Sequence, residues 1–281
     1  MKPIDELLNF SLININKSTG PTSYSVSEFI KRQLELNKTS HMGTLDPKVT
    51  GVLPVTLGRA CKLAGYFIKH DKSYVGILHT HKEQDIKKLQ KLINDNFVGQ
   101  IKQTPPHRSA VKREERERVV YSWKLLEESR DKRSFLFECK VEGGTYIRKL
   151  CSDLGEIING AHMGELRRTE AGIFDEKTIV NLFDFKSAVD KYKNGDEKDL
   201  RKILVPAEDA IKKVLPYVKI EKKAIEGLHI GKPLFRDNII SKIDDIKTDD
   251  RFSVFYENQF IGIYRRTTEE LIFGRSEFVF N

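Results

Sequence analysis

Cysteine is scarce in this 281-residue chain: Cys61, Cys139 and Cys151 are widely spaced, and no two of them form a CxxC pair. That spacing argues against a disulfide framework or a zinc knuckle and leaves three reduced thiols as the expectation. No apolar run is long enough to span a bilayer, so no membrane partner is expected. The opening stretch MKPIDELLNF has acidic residues where a secretory signal needs a basic region and an apolar one, which predicts a cytoplasmic protein. There is no glycine-rich phosphate loop. His79 and His81 of HTH would share one strand face without further ligands. Neither a cofactor nor a metal is therefore expected.

Positive charge is what the chain has in excess. Forty-nine Lys and Arg stand against 41 Asp and Glu, a net charge of +8, which favours a polyanionic partner without naming it. With 39% hydrophobic and 32% charged residues, the length accommodates one large domain plus a small one.

Periodicity predicts an amphipathic helix over 22–36, with Val26, Phe29, Ile30 and Leu34 on one face and a Ser25–Glu28 capping box. A second helix is expected over 58–70, with Ala60, Leu63, Ala64 and Phe67 inward. KSYVGILHT (72–80) alternates as a strand, followed by a polar-faced helix and a hairpin of 118–128 with 134–144. The helix over 145–160 has Ile147, Leu150, Cys151, Leu154, Ile157 and Ile158 as its stripe and Gly160 as its C-cap. HMGELRRTEAGIF then returns to extended structure. The charged stretch from about 183 reads as a surface helix and connector, and short β-like runs resume from about Leu215.

The densest chemistry lies in SHMGTLDPKVTGVLPV (40–55). Pro47 disfavours a helical Asp46, and Gly43 and Gly51 on either side permit sharp turns or close approach of a ligand. A carboxylate held on such a loop, over a floor of Val52, Leu53 and Val55, is suited to act as nucleophile or base. Taken alone, however, Asp before Pro reads more readily as a turn. Arg148 in YIRKL, likewise taken alone, reads as a solvated helix residue.

Several ordered blocks change that balance. HMGTLDPKVTGVLPVTLGRACK resembles the catalytic motif of the TruB-type pseudouridine synthases, especially their archaeal and eukaryotic dyskerin-like branch. NKSTGPTS (16–23), KSY (72–74), TPPHRSAVKREERERVVY (104–121), GGTYIRKLCSDLG (143–155) and GAHMGELRRTEAG (160–172) follow in that family's order. The resemblance implies an RNA isomerase with Asp46 as catalytic aspartate, Tyr74 packed against the target base, and Arg148 paired with Asp46. It further implies substrate contacts from Lys17, His41, Gly43, Thr44, Ile147 and Leu166. Implied partners are tRNA or rRNA, a box H/ACA guide RNA and the small proteins of that particle. The tail from about 215 is more weakly similar to a PUA domain, so the expected architecture is α+β: a catalytic domain over 1–205 with a mixed, largely antiparallel sheet, then a PUA-like β-barrel over 206–281.

Physical reasoning agrees: a guanidinium beside Asp46 in an apolar cleft would keep the carboxylate ionised. Phosphate grip is expected from Lys112, Arg113, Arg116 and Arg118, diluted by the glutamates between them, and from Arg167 with Arg168. Strand alternation lets only one of Arg167 and Arg168 face the site. Met42 stands where the family usually has Ser or Thr, next to the catalytic loop. Two other readings stay open: a stand-alone tRNA pseudouridine synthase, and a non-catalytic RNA scaffold or chaperone that would be indifferent to Asp46.

Overall fold

In the computed structural model, residues 2–105, 112–243 and 245–281 are described. Helix α1 (Ile4–Asn9) leads into strand β1 (Ser11–Lys17), helix α2 (Ser23–Gln33) and strands β2 (Thr39–His41) and β3 (Thr50–Leu57). A 3-10 segment (Gly58–Leu63) runs into α3 (Ala64–Ile68), followed by β4 (Lys72–Thr80), α4 (Ile86–Phe97) and β5 (Gly99–Gln103). The hairpin β6 (Arg116–Glu128) and β7 (Ser134–Val141) precedes α5 (Ile147–Ile158), β8 (Ala161–Ala171) and its short return β9 (Phe174–Asp175). Helices α6 (Leu182–Lys193) and α7 (Lys198–Ile203), strand β10 (Val205–Pro206) and α8 (Ala207–Lys212) follow. The tail holds β11 (Tyr217–Lys219), α9 (Ile225–His229), β12 (Leu234–Phe235), β13 (Arg251–Tyr256), β14 (Gln259–Arg266) and β15 (Ile272–Val279).

The large sheet runs β10-β1-β3-β8-β4-β7-β6-β5, with β2 on β3 and β9 on β8. Its ladders are antiparallel except β3–β8, where Thr50 pairs with Arg167 and Gly51 with Arg168. This is the mixed, largely antiparallel sheet that was expected. The tail forms a second sheet in the order β11-β13-β14-β15-β12. It is a curled half-barrel rather than a closed one. Its rim is joined at an Ile220–Ile239 bridge, where Ile240 N donates to Lys219 O and Glu221 N to Asn238 O, both at 2.9 Å.

Period-two alternation distributes the core over both faces of the large sheet. Ile13, Ile15, Leu53, Val55 and Leu57 join one cluster with Val26, Ile30, Leu150 and Leu154. Leu12 and Val52 face the other way, into a cluster with Phe10, Met42, Ala207, Phe255 and Phe260. The floor expected under Asp46 is therefore split, with Val52 on one side of β3 and Leu53 with Val55 on the other.

Helix ends depart from expectation in ways that local chemistry explains. Helix α2 begins at Thr22, whose Oγ1 accepts from Ser25 N at 3.0 Å, while Glu28 pairs with Lys31 at 3.1 Å. The cap is thus Thr22 on Ser25 rather than Ser25 with Glu28, because the helix begins at Ser23 and Ser25 is already inside its first turn. At the C-terminus of α5 the left-handed residue is Asn159 (φ 63°), and Gly160 (φ 122°) follows it. A Cβ at Gly160 would overlap the His81 ring. Ile157 lies at the edge of the α5 stripe and remains half exposed. The charged stretch from 183 forms α6 and α7, anchored by Phe185, Val189 and Leu200.

Trp123 makes edge contacts with Phe97 (5.7 Å) and Phe137 (5.9 Å), which ties α4 to the hairpin. Phe137 is fully buried. Phe137→Ala is expected to lower the unfolding free energy by about 3–5 kcal/mol, read from urea titration; a loss under about 1 kcal/mol would show that this layer does not hold the fold.

Candidate active site

Residues 40–55 form a strand, a loop and a second strand, and the loop is strapped from below. Asp46 O accepts from Val49 N at 2.9 Å, so Asp46 opens a turn with Pro47 at its second position. The turn suggested by the local sequence is real, and it presents the carboxylate outward. The N-terminal block supplies the straps. Ser23 Oγ donates to Leu45 O (2.9 Å) and accepts from Leu45 N (2.8 Å), and Gly20 N donates to Pro47 O (2.9 Å).

Lys17 completes this cradle. Its ammonium is buried and donates to Ser18 O (2.9 Å), Pro47 O (3.1 Å) and Val49 O (2.8 Å), so all three N–H donors are used inside the protein. Burial lowers its pKa, and the Asp46 charge opposes the shift. Lys17 is therefore a strut beneath the loop, with no free donor for an RNA.

Arg148, in the first turn of α5, reaches Asp46 Oδ2 through Nη2. The two side chains are 55% and 49% exposed, so the pair stands in water and the apolar cleft expected around it is open. Tyr74, Ile147 and Leu166 are buried beside it in the main core. Tyr74 lies opposite Arg168 on β8, and Gly76 opposite Leu166. His41 Nε2 lies 3.1 Å from Thr44 Oγ1 at the loop's other shoulder. Burial, and then the Arg168 charge, lowers the His41 pKa, so the imidazole is neutral at pH 7.

Arg167 and Arg168 diverge as strand alternation requires. Arg167 turns outward to Glu176 (2.6 Å) and Asn16 (3.2 Å). Arg168 is 1% exposed, so it is no phosphate grip. Its Nε donates to Val52 O (2.8 Å), its Nη2 donates to Gly43 O (3.0 Å), and its guanidinium interacts with the Tyr74 phenol. Lys72, also buried, donates to Ile68 O (2.6 Å) and to His70 O. Sequence reasoning missed Lys72 and misread Arg168; the signal available was their place inside the KSY and LRRT blocks.

Met42 is buried in the second cluster rather than exposed beside the loop. In the basic run, Lys112 pairs with Glu114 and Lys102 with Glu115 (3.4 Å). Positions 106–111 of the 104–121 block lie outside the described residues.

The family model described as TruB family pseudouridylate synthase (N terminal domain) matches residues 31–147, and that of the tRNA pseudouridylate synthase B C-terminal domain matches 148–212. A "Probable tRNA pseudouridine synthase B" of Sulfurisphaera tokodaii is 43% identical over 242 residues, covering 85% of this chain and 71% of that protein. A chain of a structure described as a Cbf5-Nop10-Gar1 complex superposes with TM-score 0.90 at 36% identity, over 100% of this chain and 88% of that one. A chain of an H/ACA RNP bound to a substrate RNA containing 2'-deoxyuridine gives TM-score 0.87 at 33% identity, with the same two coverages.

The buried lysine provides a test of this geometry. Burial and the neighbouring Arg168 charge push Lys72 down to about 8 from 10.5, with Asp71 opposing. Between those two values the unfolded chain binds the extra proton. The destabilisation from this group is therefore full below pH 8 and fades as pH rises toward 10.5. Urea titrations of the wild type are expected to show a gain of up to about 3 kcal/mol across that window that Lys72→Met lacks. Matching pH profiles for the two proteins would mean that Lys72 carries no such penalty.

Proposed function

Because the chain belongs to the TruB family of pseudouridylate synthases, and is thus an RNA isomerase, we propose that Asp46 is its reacting carboxylate and Arg148 the cation that orients it. The contact between Arg148 Nη2 and Asp46 Oδ2 carries this reading. It joins two side chains 102 positions apart and leaves both accessible from solvent.

Pseudouridine formation breaks the bond between uracil N1 and the ribose, turns the base, and rejoins it through C5, with the C5 proton lost to solvent and N1 taking one up. Atoms and electrons balance within the nucleotide, so the reaction calls for no redox partner or group donor. The uridine has to leave its stack to reach Asp46. Tyr74, Ile147 and Leu166 form the buried wall against which the everted base would pack, with Tyr74 also the candidate general base. His41 and Thr44 flank the loop on the side where the RNA backbone would pass, and Gly43 gives that backbone room. Lys17 acts through the loop backbone rather than by touching RNA. In this reading the catalytic unit spans 1–205 and an RNA-binding PUA-like unit 206–281, with α8 and the connector to β11 packed between the two sheets.

Two substrate settings follow from the relatives. Likeness to chains solved in H/ACA complexes supports action guided by an H/ACA RNA, alongside small proteins of the kind present there. Relatives described as tRNA pseudouridine synthase B support direct action on tRNA. In this reading the protein works in the cytoplasm with its RNA.

The test is to map pseudouridine in labelled tRNA and rRNA transcripts, with and without guide RNA and partner proteins. Product without guide supports stand-alone action. Asp46→Asn is expected to leave no product, and equal product from it and the wild type would remove Asp46 from the chemistry. RNA binding without product from either protein would favour a scaffold. Arg148→Ala is expected to slow single turnover roughly 100- to 1,000-fold with RNA affinity largely kept. A matching loss of affinity would instead make Arg148 an RNA anchor.

A further inference from the structure

Three cations, Lys17, Lys72 and Arg168, are buried under the Asp46 loop. Among the described residues, none of the three forms a salt bridge; their hydrogen bonds go to backbone carbonyls and, for Arg168, also to the Tyr74 phenol. Arg168 is the largest of the three and is 1% exposed; burial lowers its pKa, and the Tyr74 phenol opposes the shift. A second cation, Lys72, lies next to it, and His41 on its other side is neutral. Taking a guanidinium out of water costs several kcal/mol even after relaxation, and an apolar side chain of similar volume packs at lower cost. A residue kept at such a site is accounted for by what it holds rather than by stability.

What Arg168 holds is specific. Its Nη2 takes the carbonyl of Gly43, three residues before Asp46, and its Nε takes that of Val52, six residues after. The same guanidinium faces Tyr74 across the β4–β8 ladder. One planar, rigid group therefore spans both ends of the loop carrying the carboxylate and the aromatic side chain beneath it. Lysine cannot replace this, because an ammonium on a flexible stem lacks the fixed fork. Gly43 is shaped to the contact: its φ is +85°, and a Cβ there would sit 3.1 Å from Arg168 Nη1.

We propose that Arg168 is a positioning residue for the isomerisation, locking the Gly43–Val52 loop and the Tyr74 phenol into one frame so that carboxylate and base-facing tyrosine keep a fixed separation. This rests on the reading of Asp46 and Tyr74 given above. Arg168 reaches neither the Asp46 carboxylate nor the bound base directly; its effect passes through the loop and the Tyr74 phenol that it holds.

The experiment compares wild type, Arg168→Lys and Gly43→Ala on labelled tRNA and rRNA transcripts, with and without guide RNA and partner proteins. It measures single-turnover rate, RNA dissociation constant and amide hydrogen exchange over 42–52. Gly43→Ala keeps the buried cation and disturbs the same contact from the loop side, so the comparison survives if Arg168→Lys fails to fold. Both variants are expected to lose about 100-fold in rate and to exchange faster across 42–52 but not in the α5 core, and Arg168→Lys is expected to bind RNA within about threefold of wild type. A rate within threefold of wild type in a folded variant, or a loss confined to RNA affinity, overturns the proposal. The exchange arm separates the two claims. Should the wild type make no pseudouridine, the assignment of Asp46 and Tyr74 falls, while faster loop exchange in the variants would still show Arg168 holding the loop.

Discussion

Two rungs of parallel ladder, Thr50 with Arg167 and Gly51 with Arg168, set the position of everything at the site. Here β3 and β8 approach so closely that a Cβ at Gly51 would overlap the Arg168 carbonyl. Gly51 also has φ +101°, which only glycine adopts without strain. The register places the inward side chain of β8 under the loop entering β3, and the same residue lies opposite Tyr74 on β4. Moving the ladder by one residue would exchange Arg168 for Arg167 beneath Asp46 and turn the inward face outward.

The charges divide into two populations with different work to do. The Asp46–Arg148 pair is half exposed, where ion pairs contribute little to stability, so its value lies in orienting a carboxylate that remains reachable. Below it, buried ammonium and guanidinium groups have their donors filled by backbone carbonyls. Such cations act as cross-links: Lys17 takes Pro47 O and Val49 O, Arg168 takes Gly43 O and Val52 O, and Lys72 ties the end of α3 to β4. The buried cations hold the loop's geometry, while the exposed pair is the part of it that solvent or a ligand can reach.

How much of this was legible in the sequence depends on whether the signal was local. The α5 stripe was, because a period of 3.6 marks Ile147, Leu150, Cys151, Leu154 and Ile158, which are all buried. The β4 alternation was legible for the same reason. At Asp46 the local residues spoke for a turn, and the turn is present; only the family blocks spoke for chemistry, which a single Asp-Pro step cannot distinguish. Which of Arg167 and Arg168 points inward was not legible, since alternation says that they diverge but not in which direction. That choice is made by pairing with residues more than a hundred positions earlier. The split of Val52 from Leu53 was legible in principle from the same alternation, and reading the three residues as one floor overlooked it.

The two sheets are joined by a packed core rather than a tether. Phe10, between α1 and β1, stacks on Phe260 of the tail at 5.4 Å and on Phe280 at 4.2 Å, and Arg59 lies over the Phe280 ring at 4.3 Å. At the margin, Glu277 accepts from Tyr66 (3.2 Å) and Arg251 (2.7 Å) and pairs with Arg265 (3.2 Å), which ties α3 to three strands of the half-barrel. Phe10 immediately precedes the strand that ends in Lys17, the strut of the Asp46 loop. The element that docks the tail is therefore continuous with the one that supports the carboxylate. The spacing between the half-barrel and the Asp46 loop is thus set through β1.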